Sequence, residues 1–421
     1  MEKYLQLTHI IKMTDINKNK KPHAALITEN FPPLIGGGIA EWTIGGAQSL
    51  TKMGYPVTVM SKWKRKFDPA SSHYSDRADE KKFRFLPMYG HDWRRYRYWY
   101  SLYYTWKFLR QEPQGLILAT TWELGEPFVF LRRFFPDARL IVAAHGLEVT
   151  KIRGGRKLKN FRKTMASAEL IAAVSRFTRQ AVSDRMGDIS LDQLIFIPNG
   201  VDTDRFRHTT DFDDLKKRLG IRKDTRVVLT LARVIKRKGH DTVIRSLPTI
   251  IKKFPETVYL IAGPQQDRDY VRYLKKLIAE LNMIHYVIFT NFINDIDLNR
   301  LYSLADVYVM VSRILPEKGD TEGFGITFLE ANSCLCPVIG SDSGGIPDAI
   351  EDGKSGFLIP PDNVSALTDK IFTLFEDPNF SRKMGRQGRE RVERFFTWEK
   401  VFKKLMGELA NVNRSFDKGR S

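Results

Sequence analysis

VYVMVSRILPEKGDTEGFGITFLEANSCLCPVIGS, residues 307–341, is the stretch that decides the fold. It opens on five apolar or aromatic residues, Val307 to Val311, the length and composition of a strand buried on both faces. A polar loop follows, then a helical pattern over 323–332, then a second apolar run over 338–341. Two short buried strands joined through a helix make the unit of a parallel α/β sheet. Within the loop and helix, Glu322-Gly323-Phe324-Gly325-Ile326 leads a strand end into a helix start. The first amides of a helix lie unbonded at the positive end of its dipole, a setting that suits phosphate.

The same alternation extends in both directions. Strands are expected at 227–231, 258–262 and 287–290, with helices at 241–254, 270–281 and 297–305, and helix again from Ala366 onward. The first half repeats the design. Strands at 24–28, 57–60, 116–119, 140–144, 170–174 and 194–197 are separated by mostly helical segments, the first of them at 39–53 before Gly54. The expected organisation is therefore a polar leader at 1–21, an N-terminal Rossmann-like domain at 22–206 and a linker at 207–222. A second Rossmann-like domain at 223–385 and helices at 386–421 that pack back on the first domain complete it. Doubly wound sheets take ligands at the carboxyl ends of their strands, so two facing sheets would place a site in a central cleft.

Composition agrees with two globular domains: 421 residues, 42% hydrophobic and 28% charged. No run approaches the ~18 apolar residues of a membrane span, and the N-terminus is too polar for a secretory leader. Cys334 and Cys336 are too close for an ordinary disulfide and too few for a zinc site, so a reducing cytoplasm is the expected location. The net charge of +19 favours anionic partners: nucleic acid, acidic lipid or phosphorylated substrates. No nucleic-acid motif accompanies the charge, so nucleic acid is not an expected partner.

Four clusters carry chemistry. Around Glu322 and Glu330, glycines flanking Phe324 let backbone approach a ligand. At a strand end, Arg233 is followed by Lys238-Gly239; a forked guanidinium and a compact ammonium suit a pyrophosphate. Lys236 and Arg237 between them read as a basic surface turn. Gly36, Gly37 and Gly38 follow the first strand and can offer amides to phosphate or sugar. His145 stands at the carboxyl end of the strand expected at 140–144; alone, such a histidine reads as structural.

These clusters, in this order, resemble the GT-B glycosyltransferases of family 4, which include bacterial phosphatidylinositol mannosyltransferases and many polysaccharide and lipopolysaccharide enzymes. The resemblance runs from about Pro22 to Trp398. Its most specific parts are Glu322 and Glu330 around Gly-Phe-Gly, and Arg233 with Lys238-Gly239. Pro32-Pro33, Ala173-Val174-Ser175, Pro198-Asn199-Gly200-Val201-Asp202, Ser343-Gly344-Gly345-Ile346-Pro347, Gly353 to Leu358 and Phe396-Thr397-Trp398 support it. Tyr55 and Leu335 depart from it, standing where histidine and glycine are usual.

The resemblance implies a retaining hexosyltransferase with a nucleotide-sugar donor, GDP-mannose as first guess, and a lipid-linked or glycan acceptor. It implies that Arg233 and Lys238 hold the pyrophosphate, that Glu330 binds ribose and that Glu322 faces the sugar. The amides near Phe324, Gly325 and Ile326 support phosphate and sugar, Gly36 to Gly38 lie beside the donor, and His145 contacts the sugar. No cofactor and no obligatory metal are expected. A nucleotide-sugar epimerase or a phosphorylase on the same fold is the alternative, although no lysine motif for a phosphorylase cofactor is present.

Two surfaces stand outside these clusters. Residues 91–110, HDWRRYRYWYSLYYTWKFLR, place Trp99, Leu102, Tyr103, Trp106 and Leu109 on one helical face, with Arg94, Arg95 and Arg97 near its start. Trp106 and Leu109 are expected to dock into the core; the other aromatics suit either core or a membrane interface. Residues 151–163 carry Lys151, Arg153, Arg156, Lys157, Lys159, Arg162 and Lys163. Such a run is either solvated surface or a contact for an anionic bilayer at the inner membrane face.

Overall fold

The computed structural model describes residues 21–31, 37–63, 83–187, 192–290 and 295–418. Residues 1–20 of the leader, Pro32, Pro33 and Gly36 lie outside them. The chain divides into two compact units, 1–141 and 142–421.

A seven-stranded sheet has the order β3-β2-β1-β4-β5-β6-β7, formed by β1 (Ala24–Thr28), β2 (Val57–Trp63), β3 (Arg84–Tyr89), β4 (Leu116–Ala119), β5 (Arg139–Ala144), β6 (Leu170–Ala173) and β7 (Leu194–Phe196). The boundary between the compact units falls inside β5. A six-stranded sheet has the order β10-β9-β8-β11-β12-β13, from β8 (Arg226–Leu231), β9 (Thr257–Ala262), β10 (Val287–Thr290), β11 (Val307–Met310), β12 (Val338–Ser341) and β13 (Gly356–Ile359). The described strand pairings are parallel. The strands are buried for the reason their composition gives: β1, AALIT, and β11, VYVM, have no exposed residue, as strands covered by helices on both faces require. This is the doubly wound α/β class expected from the alternation.

Both sheets reverse their strand order once. In the second the reversal lies between β8 and β11, which pair through Val307 with Val228 and Tyr308 with Leu229. In the first it lies between β1 and β4. Such switch points leave a crevice where the two outgoing loops diverge, and ligands collect there. The loops leaving β8 and β11 carry Arg233–Lys238 and Asp320–Glu322; after β1, Gly37 is the N-cap of a helix that opens at Gly38.

Several elements differ from the sequence reading. β3 and β13 were not expected: β3 carries Pro87 and has only one buried residue, and four-residue β13 opens on a glycine. Residues 207–222 are not a bare linker, for the helix Asp213–Arg218 forms there. Its start is acidic, Asp213 and Asp214, and its last turn basic, complementing the helix dipole. The helix after Glu322 starts at Ile326, not Gly323, because Gly325 takes the left-handed conformation, φ 91°, as its N-cap.

Two distant motifs prove to be partners. The Val201 N–H donates to the Phe396 carbonyl at 2.8 Å, and Val201 bridges Thr397. A Cβ on Gly200 would lie 2.7 Å from the Trp398 ring. The helix Trp398–Lys418 packs against β6, and Lys404 Nζ donates to the Phe196 carbonyl at 3.0 Å. Both cysteines are free and buried at the end of the helix Ile326–Ser333. Leu335 between them has φ 63°, which explains why glycine suits that position.

Candidate functional site

The turn after β8 is a short 3₁₀ helix, Lys236–Lys238, closed by Gly239 at φ 74°. A Cβ on Gly239 would stand 2.1 Å from the Val311 carbonyl. Glycine therefore meets two demands there: a left-handed backbone and direct contact with the end of β11. That contact brings the basic turn against the loop leaving β11. Lys238 Nζ lies 2.5 Å from Glu322 Oε2 and 3.2 Å from Met310 Sδ.

Arg237 is a correction to the sequence reading. Lys236 is exposed as expected of a surface turn, but the Arg237 side chain is only 3% exposed. Its NH1 reaches Glu322 Oε2 at 2.5 Å and its Nε reaches Asp320 Oδ1 at 3.1 Å. The backbone of Arg237 is held as well, because the Arg313 N–H donates to its carbonyl at 2.9 Å. The residue was missed because a run of three cations reads as solvated surface, and only the register of a 3₁₀ turn sends the middle one inward.

Charge in this cluster is strongly perturbed. Burial alone would raise the Glu322 carboxyl, but Lys238 and Arg237 outweigh it and hold its pKa at about 2. Burial lowers Lys238 to about 8 against the opposing pull of Glu322, with Arg237 and Arg233 adding to the lowering. Arg233 is itself exposed, so its charge is offered to solvent or ligand beside Lys238. Perturbed groups at a strand end mark a functional site on physical grounds.

Next to them the helix Ile326–Ser333 starts with no side-chain cap. Its first amides are thus left for a ligand. Phe324 does not face that ligand: its side chain is 2% exposed and belongs to the core. Only its backbone can serve a ligand, which is the part the sequence reading assigned. Glu330 is 9% exposed and accepts a hydrogen bond from the Tyr302 hydroxyl at 2.7 Å. Its carboxylate is aimed by that phenol, a partner no sequence pattern announced. Thr327 is likewise set by Tyr308, whose hydroxyl donates at 2.7 Å.

His145 follows β5. Its backbone N–H donates to Glu148 Oε1 at 2.5 Å, and burial lowers its imidazole pKa to about 4, so it is neutral near pH 7. The structure brings His145 to the Glu322 loop through bare backbone. A Cβ on Gly323 would lie 1.9 Å from the His145 carbonyl, and one on Gly345 would lie 1.9 Å from the Gly323 carbonyl. The Gly345 N–H donates to the Glu322 carbonyl at 2.9 Å. The Ser343–Pro347 motif is therefore a support for Glu322.

In the other compact unit, Gly37 is the N-cap of the helix Gly38–Lys52, with φ 108° and no side-chain cap. The hydroxyl and amide turns around Thr28 and Asn30 lead out of β1 toward it. The long helix Trp93–Gln111 turns one face inward through Trp93, Ser101, Thr105, Phe108 and Leu109. Leu109 docks as expected, but Trp106 does not: it is 38% exposed, in line with Trp99 at 63% and Tyr103 at 52%. Arg97 points inward to Glu29 at 3.2 Å and Glu123, whereas Arg110 lies over the Trp106 ring. The helix contains no acidic residue. In the segment 151–163, Lys151, Arg153, Arg156, Lys157, Lys159 and Lys163 are exposed, and Arg162 is tied to the Arg185 carbonyl at 2.7 Å. Among the described residues no group of acidic, histidine or cysteine side chains could hold a metal ion, and no helix is long and apolar enough to cross a membrane.

Comparison with known proteins agrees with this geometry. The family model described as Glycosyltransferase Family 4 matches residues 36–205, and that described as Glycosyl transferases group 1 matches residues 211–391. A GDP-mannose-dependent alpha-(1-6)-phosphatidylinositol monomannoside mannosyltransferase of Mycobacterium tuberculosis is 31% identical over 290 residues, 67% of this chain and 71% of that protein. Its counterpart from Mycolicibacterium smegmatis is 33% identical over 252 residues, 60% of this chain and 64% of that protein. Among solved structures, Anabaena HepE in complex with UDP and glucose superposes with a TM-score of 0.75 at 19% identity, covering 93% of this chain and all of that one (100%). That last likeness is one of fold.

Proposed function

The chain belongs to the GT-B glycosyltransferases of family 4, and from that premise we propose that it transfers mannose from GDP-mannose to a lipid-linked acceptor, with retention at the anomeric carbon and no obligatory metal. The carrying observation is the convergence of Lys238 on Glu322 at the switch point of the second sheet, beside exposed Arg233 and an uncapped helix start.

Breaking the donor's glycosidic bond puts negative charge on a diphosphate. Fixed cations and helix amides stabilise charge best where it develops. Arg233 and Lys238 take the diphosphate, helped by the amides of Ile326 and its neighbours. Glu330, aimed by Tyr302, takes the ribose hydroxyls. Glu322, ionised, accepts from sugar hydroxyls, and neutral His145 accepts from or donates to them. The departing phosphate oxygen receives the acceptor's proton as the acceptor oxygen bonds the same face of the sugar. A surface hollow lined by Ile235, Gln266, Asp267, Arg268 and Asp269 adjoins the same turn and suits the base.

GDP-mannose is favoured by the two mannosyltransferase relatives, both of them GDP-mannose-dependent. A lipid-linked acceptor is supported by the helix Trp93–Gln111. Tyr and Trp with Arg and Lys, and no acid among them, form the chemistry of an anionic membrane interface. The exposed cations of 151–163 add to it. On this reading the protein works peripherally, at the cytoplasmic face of a membrane.

The experiment is a transfer assay with radiolabelled GDP-mannose, UDP-glucose and other nucleotide sugars, using extracted lipid acceptors, in EDTA and with added magnesium. Labelled lipid formed from GDP-mannose, with α configuration by NMR and unchanged in EDTA, is expected. Product from a different donor would reassign the sugar. An isomerised free nucleotide sugar would indicate an epimerase, and sugar phosphate formed from a glycan a phosphorylase. Pelleting with anionic but not neutral vesicles is expected; pelleting with neither would point to a water-soluble glycan acceptor.

A further inference from the structure

Glu322 Oε2 carries two cations at once, Arg237 NH1 and Lys238 Nζ, each at 2.5 Å. A diphosphate that takes Lys238 must draw it away from this carboxylate. The two cations are not equally free to go. Lys238 hangs on a flexible stem, and its other contact is Met310 sulfur, a weak acceptor. Arg237 is 3% exposed, forms a second ion pair through its Nε, 3.1 Å from Asp320 Oδ1, and is anchored by its own carbonyl. A planar guanidinium spans two carboxylates in a way an ammonium cannot.

We infer that Arg237 is a positioning residue: it keeps Glu322 ionised and aimed at the sugar while the donor diphosphate takes over Lys238. The inference rests on the reading that Lys238 binds the diphosphate and that Glu322 faces the sugar. Without Arg237, transfer of Lys238 to the donor would strand a carboxylate that is 14% exposed, and a buried unpaired charge is strongly disfavoured. Glu322 would then either hold Lys238 back or take up a proton. With Arg237 in place, one cation is exchanged and one stays. The charged and titratable groups around Glu322 support this division. Lys238 and Arg237 act on it directly. Asp320 lies across Arg237, the Tyr308 phenol feels the Glu322 charge, and Arg233 acts on Lys238.

The test compares Arg237→Met, Arg237→Lys, Glu322→Gln and the double variant Arg237→Met/Glu322→Gln by steady-state kinetics across pH. Thermal melting with and without GDP checks folding. Arg237→Met should lower kcat on the order of 10²-fold, as misplacement of a reacting contact does, with a much smaller change in the donor KM. Its kcat profile should gain an acidic limb within pH 5–7, where the wild type is flat. The sign follows from electrostatics: removing a cation raises the carboxyl pKa, so the ionised form is lost as pH falls. Arg237→Lys should push that limb back to lower pH. The double variant should be no slower than Glu322→Gln alone, because the two act as a unit. A uniform loss of kcat with no acidic limb, or independent, multiplicative losses in the double variant, would make Arg237 mere packing and overturn the inference. If Arg237→Met does not fold, Asp320→Asn weakens that second ion pair and should show a smaller acidic limb; a profile as flat as wild type would overturn the inference equally. Wild-type turnover in both Glu322→Gln and Lys238→Ala would instead bring down the donor-site reading, and this inference with it.

Discussion

Replacing Glu322 with Gln removes one negative charge and almost no volume. The structure sets the consequence. Glu322 is 14% exposed and balances Arg237 and Lys238, 3% and 11% exposed. Removing one partner of a buried ion pair costs roughly 3–5 kcal/mol. Asp320 still holds Arg237, so the lower end, about 3 kcal/mol, applies here. At about 2–4 °C per kcal/mol for a unit of 150–250 residues, the melting temperature should fall by about 6–12 °C. GDP should offset much of this loss, since its diphosphate supplies the missing negative charge to Lys238. A ligand at one hundred times its dissociation constant stabilises by about 2.7 kcal/mol. Turnover should drop by roughly 10²-fold or more, while GDP affinity is kept or slightly raised. Differential scanning fluorimetry with a GDP titration, beside a radiolabelled transfer assay, measures all three. A folded Glu322→Gln protein with wild-type turnover, or one with an unchanged melting temperature, would refute the reasoning.

Arg233→Ala and Lys238→Ala should each lower turnover by roughly 10²-fold and weaken GDP in calorimetric titration; equal GDP affinity in both would move the pyrophosphate site elsewhere. Because Arg233 is exposed, its variant should melt within ~0.5 kcal/mol of wild type by denaturant titration. The kcat/KM profile should be flat from about pH 5 to 8 and fall above it, since Lys238 in the free enzyme loses its proton near pH 8. His145, with its pKa lowered to about 4, should add no limb near pH 6.5; a limb there would show that imidazole charging matters. Gly385→Ala lies inside the helix Pro378–Phe395, where alanine usually gains up to ~1 kcal/mol. Here its Cβ would stand 2.0 Å from the Leu335 carbonyl, so denaturant unfolding should show a loss, and a gain would refute the close approach.

The architecture was legible because it depends on period and punctuation. β1, β4, β10 and β12 have the bounds their apolar runs suggest. β3 stayed hidden because a half-exposed strand with a proline lacks that signature. The site was legible in part. Arg233, Lys238 and Glu322 stand in the loops after strand ends, and Glu330 one turn into the helix Ile326–Ser333, where spacing alone can put them. Arg237, Tyr302 and the Gly345 amide were not, since each acts across 23 to 85 residues of chain. Trp106 failed for a related reason: helical spacing groups residues on a face but does not say which face meets the sheet.

The stacked backbone of His145, Gly323 and Gly345 has a consequence for anyone who would alter this protein. Three stretches remote in sequence touch there with no side chain between them, so their separation is fixed by the width of a peptide rather than by adjustable packing. A single methyl at Gly323 or Gly345 is a wedge, and it would lift Glu322 from Arg237 and Lys238 more surely than many larger changes at the rim. Libraries built on this protein should leave these glycines untouched. By the same logic, insertions that spread the layers should behave as all-or-none lesions, whereas loops outside the stack can drift and lengthen with little cost.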